Sequence, residues 1–158
     1  MMLLMFSILF VVVFLFYVVV ETKGIPSSLS ETFYTLGDDG WLFQMVMITV
    51  GIALVMPWLS VSSEYFQFLA FLSCGGLMFV GSAPCFRLPI HGFVHYTSAV
   101  VCCVCAVLWQ ILEGLWDVTL LWAWVGGMLC LAMRDKWCWW VEIAVIGSLF
   151  SNLLRLYL

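Results

Sequence analysis

Residues 1–20, Met-Met-Leu-Leu-Met-Phe-Ser-Ile-Leu-Phe-Val-Val-Val-Phe-Leu-Phe-Tyr-Val-Val-Val, carry no charge and no helix breaker, and Glu21, Thr22 and Lys23 follow at once. An α-helix rises about 1.5 Å per residue, so a run of about 20 apolar residues covers the roughly 30 Å hydrocarbon core of a bilayer. A cleaved signal would open on basic residues, keep its apolar core to about 7–15 residues and end on small residues. Residues 1–20 do none of this, and the expectation is a retained membrane helix.

The rest of the chain repeats the pattern. Apolar runs at about 41–59, 66–83, 93–112, 118–133 and 137–154 are separated by short polar gaps, and the fourth can begin as early as His91. Pro57 is expected to bend or end the second run and Pro84 stops the third, because proline lacks the N–H a helix interior needs. The longest gap, residues 21–40, holds Gly24, Pro26, Ser27, Ser28, Ser30 and Thr32 and closes on the turn-like Gly37-Asp38-Asp39-Gly40. The reading is an all-α, polytopic transmembrane bundle of about six helices, with residues 1–158 forming one domain.

Composition agrees. Of 158 residues, 66% are hydrophobic and 9% charged, whereas soluble domains have roughly 45–50% apolar and about 25% charged residues. A mean hydropathy of +1.19 fits a chain solvated largely by lipid. The net charge of −4, with no run of Lys and Arg to neutralise phosphates, excludes nucleic acid as a partner. The seven cysteines lack paired metal-ligand spacing and read as small packing residues. Trp41, Trp58, Trp116, Trp137, Trp139 and Trp140 flank the proposed ends, where an interfacial aromatic belt is expected. Small residues recur at helical spacing on the third run (Ser73, Gly76), the fourth (Ser98, Cys102, Ala106) and the fifth (Ala123, Gly127). Such notches let backbones approach, so these three helices are expected to pack together.

Ionisable groups inside a span are costly, and each is a functional candidate. His91 and His95 on the fourth span, Glu142 on the sixth and the neutral Gln44 on the second all belong to one membrane side, with Arg87 nearby, and form the candidate polar site. Glu142 has only Trp139, Trp140, Val141 and Ile143 on its own turn, so it must turn inward to His95, Gln44 or the first loop. Residues four apart share a helix face, so His91, His95 and Glu142 also spell the two imidazoles and one carboxylate of a zinc centre, without a His-Glu-x-x-His signature. The bland account of the same residues is helix packing or headgroup contact. On the opposite side Arg155 is expected to pair with Glu113 or Asp117. No nucleophile motif or phosphate-cradling loop occurs, and no catalytic residue, metal or cofactor is assigned.

Pro26-Ser27-Ser28-Leu29-Ser30-Glu31 and Val80-Gly81-Ser82-Ala83-Pro84 followed by His91, His95, Tyr96 and Ala99 resemble motifs of the bacterial, uncharacterised relatives of the six-helix DRAM/Frag/Sfk membrane proteins. The likeness covers about a fifth of the chain. It implies a six-helix bundle with an outward-facing first loop and no established catalysis. Basic residues argue the other way: Lys23, Arg87, Arg134 and Lys136 lie in the first, third and fifth connections, which the positive-inside rule places in the cytoplasm.

Three functional readings follow. The first is a non-enzymatic accessory or lipid-interacting bundle of the bacterial inner membrane, whose partners are membrane lipid, a second copy or another membrane protein. The second is a small oligomeric transporter or channel, which needs a polar seam from face to face. The third is a membrane-embedded metal enzyme at His91, His95 and Glu142.

Overall fold

Helix α1 (Met2–Glu21) buries Leu4, Ser7, Val11, Phe14 and Val18, a stripe at steps of three and four. It leaves Leu9, Phe16 and Val20 exposed on the other face. In this computed structural model, which describes residues 1–158, every regular element is helical. The chain continues through α2 (Thr32–Thr35), a 3-10 turn at Gly37–Asp39, α3 (Trp41–Val61), α4 (Gln67–Ser82), α5 (Pro89–Leu112), α6 (Trp116–Ala132), a second 3-10 turn at Arg134–Lys136 and α7 (Trp137–Tyr157). There are thus seven α-helices and not six. The extra one, α2, is a single turn in the first loop, within a cluster of hydroxyl residues too polar to read as a span.

Four helical segments are long and apolar enough to cross a membrane: Met2–Glu21, Gly37–Val61, Pro89–Leu112 and Arg134–Tyr157. The apolar helices α4 and α6 are shorter, at 16 and 17 residues. Large apolar side chains such as Ile52, Phe71, Leu121 and Trp124 stand exposed on outer faces, as lipid-facing positions require.

Of the four long segments, the one that contains α3 is the most enclosed, and α3 packs against α1, α4 and α7. It runs through Pro57 to Val61, so this proline does not end the helix. Its own carbonyl accepts from Ser60 Oγ at 2.9 Å and from Tyr157 Oη at 2.8 Å. Helix α5 starts at Pro89, four residues before the expected Phe93, because proline at the first helical position sacrifices no hydrogen bond.

The expected packing of the three notched helices holds only for α4 on α5. Ser73 Oγ donates to the carbonyl of Cys102 at 2.9 Å. A Cβ added at Gly76 would stand 2.8 Å from the carbonyl oxygen of Ser98. Helix α6 packs instead on α7, to which the Arg134–Lys136 turn joins it. There Gly126, not Gly127, makes the close approach, with Ala144 opposite, while Ala123 and Gly127 face outward. The aromatic belt also needs correction. Trp41, Trp116 and Trp137 are exposed, but Trp58 is buried edge-to-face on Trp109 with ring centroids 5.3 Å apart, and Trp139 is buried as well.

Polar contacts sort the connections into two ends. At one, the first loop meets the α4–α5 connection through Arg87 and Glu31 (2.6 Å), and the start of α7 through the N–H of Trp139 and the carbonyl of Ser27 (3.1 Å). At the other, Ser63 donates to Glu113 at 2.7 Å, the hydroxyl oxygens of Ser60 and Tyr157 lie 2.6 Å apart, and Arg155 grips Asp117 at 2.7 Å. The cation expected to meet Glu113 or Asp117 therefore takes Asp117.

Candidate functional site

The first loop folds over one end of the bundle and is held from three directions. Helix α7 opens without a side-chain cap, and the N–H of Trp139, one of the donors a helix start leaves unpaired, goes to Ser27. Two residues on, Leu29 N–H donates to Glu142 Oε2 at 2.6 Å. Ser30 Oγ lies 2.8 Å from His95 Nε2, and His95 Nδ1 lies 3.0 Å from the carbonyl oxygen of Ala83, where α4 ends. Thr32 closes the turn by donating to the carbonyl of Leu29 at 2.6 Å. On the outer rim, the Arg87 guanidinium sits 4.0 Å above the Tyr34 ring and pairs with Glu31. From α1, Tyr17 Oη donates to Asp39 at 2.5 Å.

Among the partners foreseen for Glu142, the structure supplies the first loop, through a backbone N–H and not a side chain. His95 and Glu142 hold adjacent residues, Ser30 and Leu29, so both grip the loop without bonding each other. Gln44 is half-buried on α3, where its backbone carbonyl rests against Gly81, and it takes no part in these bonds. His91 is exposed, four residues from a His95 that is 1% exposed. The chain has no group of three or more His, Cys, Asp and Glu side chains placed to hold a metal ion. The imagined triad of His91, His95 and Glu142 is thus not assembled, because the helix carries one histidine inward and the other out.

Beneath the loop lies a cavity of about 100 Å³, lined by 22 residues of which 19 are hydrophobic. Leu29, Ser30 and Glu142 line it at the loop end and Trp58 at the other; α1, α3, α4, α5 and α7 supply the walls and α6 none. From Phe43 to Trp58 the α3 wall runs roughly 22 Å at about 1.5 Å per residue, so the space is long and narrow. Ser73, halfway along, spends its hydroxyl on Cys102. Glu142 is therefore the one carboxylate on a wall that is otherwise almost wholly apolar.

A second buried polar cluster, near the opposite end, escaped the sequence reading. Gln110 Oε1 accepts from Asn152 Nδ2 at 2.8 Å and from Thr119 Oγ1 at 3.2 Å, and Asn152 Nδ2 also reaches the carbonyl of Leu115 at 3.3 Å. Gln110 and Asn152 are fully buried. Neutral amides inside apolar runs were the available signal, and among them only Gln44 was singled out from the sequence. This cluster ties α5, α6 and α7 together.

No protein-family model, curated protein or solved structure matches the chain.

Proposed function

We propose that this chain is a non-enzymatic, six-crossing protein of a bacterial inner membrane that holds the apolar chain of a membrane amphiphile in its central cavity. The cavity carries the reading: a long, narrow, hydrophobic space with a single carboxylate at one end and a hydrogen-bonded loop above it. Ligand sites are concave and mostly apolar, with a few polar groups that orient the occupant. Helices α4 and α6 reach about 24 and 26 Å at about 1.5 Å per residue, lengths that a modestly thinned bilayer accommodates. The grouping of the first, third and fifth connections at one end supports six crossings, as does the resemblance to the DRAM/Frag/Sfk relatives. A hydrophilic permeation path receives less support, since the wall offers no run of polar groups from end to end.

The test is mass spectrometry of the chain extracted from membranes in mild detergent. One retained amphiphile per chain, lost from Val145→Phe, which narrows the cavity, is expected. A chain that retains none, or a Val145→Phe variant that retains as much as the parent, overturns the reading.

A further inference from the structure

The Glu142 carboxylate stands on the cavity wall with one of its two oxygens uncommitted. Oε2 accepts from Leu29, and no hydrogen bond of the chain reaches Oε1. The three ion pairs of the chain, Arg87 with Glu31, Lys136 with Asp135 and Arg155 with Asp117, leave Glu142 out. No Lys, Arg or His lines the cavity. A carboxyl group in apolar surroundings takes up a proton unless a cation meets it with a hydrogen bond.

We infer that the cavity is a site for a single-chain ammonium amphiphile, resting on the reading of the cavity as an amphiphile site given above. The ammonium donates to Glu142 Oε1 beneath the first loop, and its alkyl chain runs along α3 toward Trp58. The lining follows roughly 22 Å of helix wall, a path for one slender chain, and a volume of about 100 Å³ leaves no room for a paired-chain phospholipid. Charge complementarity selects the head group: an ammonium keeps Glu142 ionised, which neither a fatty carboxylate nor an alcohol does.

The full chain in mild detergent is titrated calorimetrically with dodecylammonium, dodecanol and dodecanoate, with partitioning into protein-free micelles subtracted. Dodecylammonium should saturate at one per chain and bind most tightly. A hydrogen bond to a charged group contributes enough that Glu142→Gln should weaken dodecylammonium roughly tenfold to hundredfold and leave dodecanol within about threefold. Val145→Phe should weaken all three. Equal affinity of dodecylammonium for the parent and Glu142→Gln, or tighter binding of dodecanoate, overturns the assignment. If Glu142→Gln fails to fold, the ranking of the three probes on the parent chain decides alone. Saturable dodecanol or dodecanoate without dodecylammonium removes the ammonium and keeps the amphiphile site. Saturation by none of the three removes both.

Discussion

Glu142 Oε2 accepts a 2.6 Å hydrogen bond from the backbone N–H of Leu29, 113 positions earlier in the sequence. That bond ties the last helix to the first loop, above the cavity both residues line. Leu29 is buried, so its N–H has no ready replacement for the carboxylate.

Replacing Glu142 by Leu should therefore cost about 1–3 kcal/mol of stability, the penalty for leaving a buried donor unsatisfied. Membrane insertion should survive, because losing a charge makes the span more apolar. Thermal unfolding in detergent and membrane fractionation measure the two. Unchanged stability with rapid amide exchange at Leu29 in the parent would show that the bond does not hold the loop.

The second grip on the loop is separable. Ser30→Ala and His95→Phe each remove one side of the 2.8 Å contact between Ser30 Oγ and His95 Nε2. In a double-mutant cycle they should show a coupling of about 1 kcal/mol, within the range for residues in direct contact. His95→Phe alone should cost more than Ser30→Ala, since it also strips the Ala83 carbonyl of its partner. Strict additivity would mean that the contact contributes nothing.

Two glycines discriminate the packing. An alanine at Gly76 must push against the Ser98 carbonyl and Cys102, and overpacking of this kind costs about 1–3 kcal/mol. At Gly127 nothing lies within 4 Å of the added carbon, so alanine should be neutral or stabilise by up to about 1 kcal/mol through helix propensity. A destabilised Gly127→Ala in detergent would reveal a neighbour at that face.

Topology is tested by reporter fusions after Asp39 and at Leu158, which should report opposite compartments. A cytoplasmic signal after Asp39 would favour the basic-residue count, and an external one the orientation that the resemblance implies. Matching signals at both sites would contradict six crossings.

Much of the fold was legible because an apolar run of helical length announces itself by length and hydropathy alone: the six runs in the sequence fall on α1 and α3 to α7 to within a few residues at most ends, and four of these segments are long and apolar enough to cross a membrane. Which faces meet was not. Gly126 and Gly127 are neighbours of identical chemistry, and only the three-dimensional path of α6 decides that the first is covered by Ala144. Glu142 could be assigned an inward direction from the apolar residues on its own turn, and the first loop stood among its expected partners. That a backbone amide and not a side chain would answer was invisible, since every residue but proline carries one. The cavity itself was equally hidden: Val50, Leu77 and Ile146 read as ordinary span residues until α3, α4 and α7 are placed around a common axis.

The most direct test is photo-labelling of the chain in a bilayer that contains a single-chain amphiphile with a diazirine on its alkyl chain, with adducts mapped by peptide mass spectrometry. The account predicts adducts on the cavity residues Val50, Leu77 and Ile146 in addition to the outward-facing Ile52, Phe71 and Leu121. It also predicts that the cavity adducts alone are lost in Val145→Phe. Labelling confined to the outward faces would contradict it.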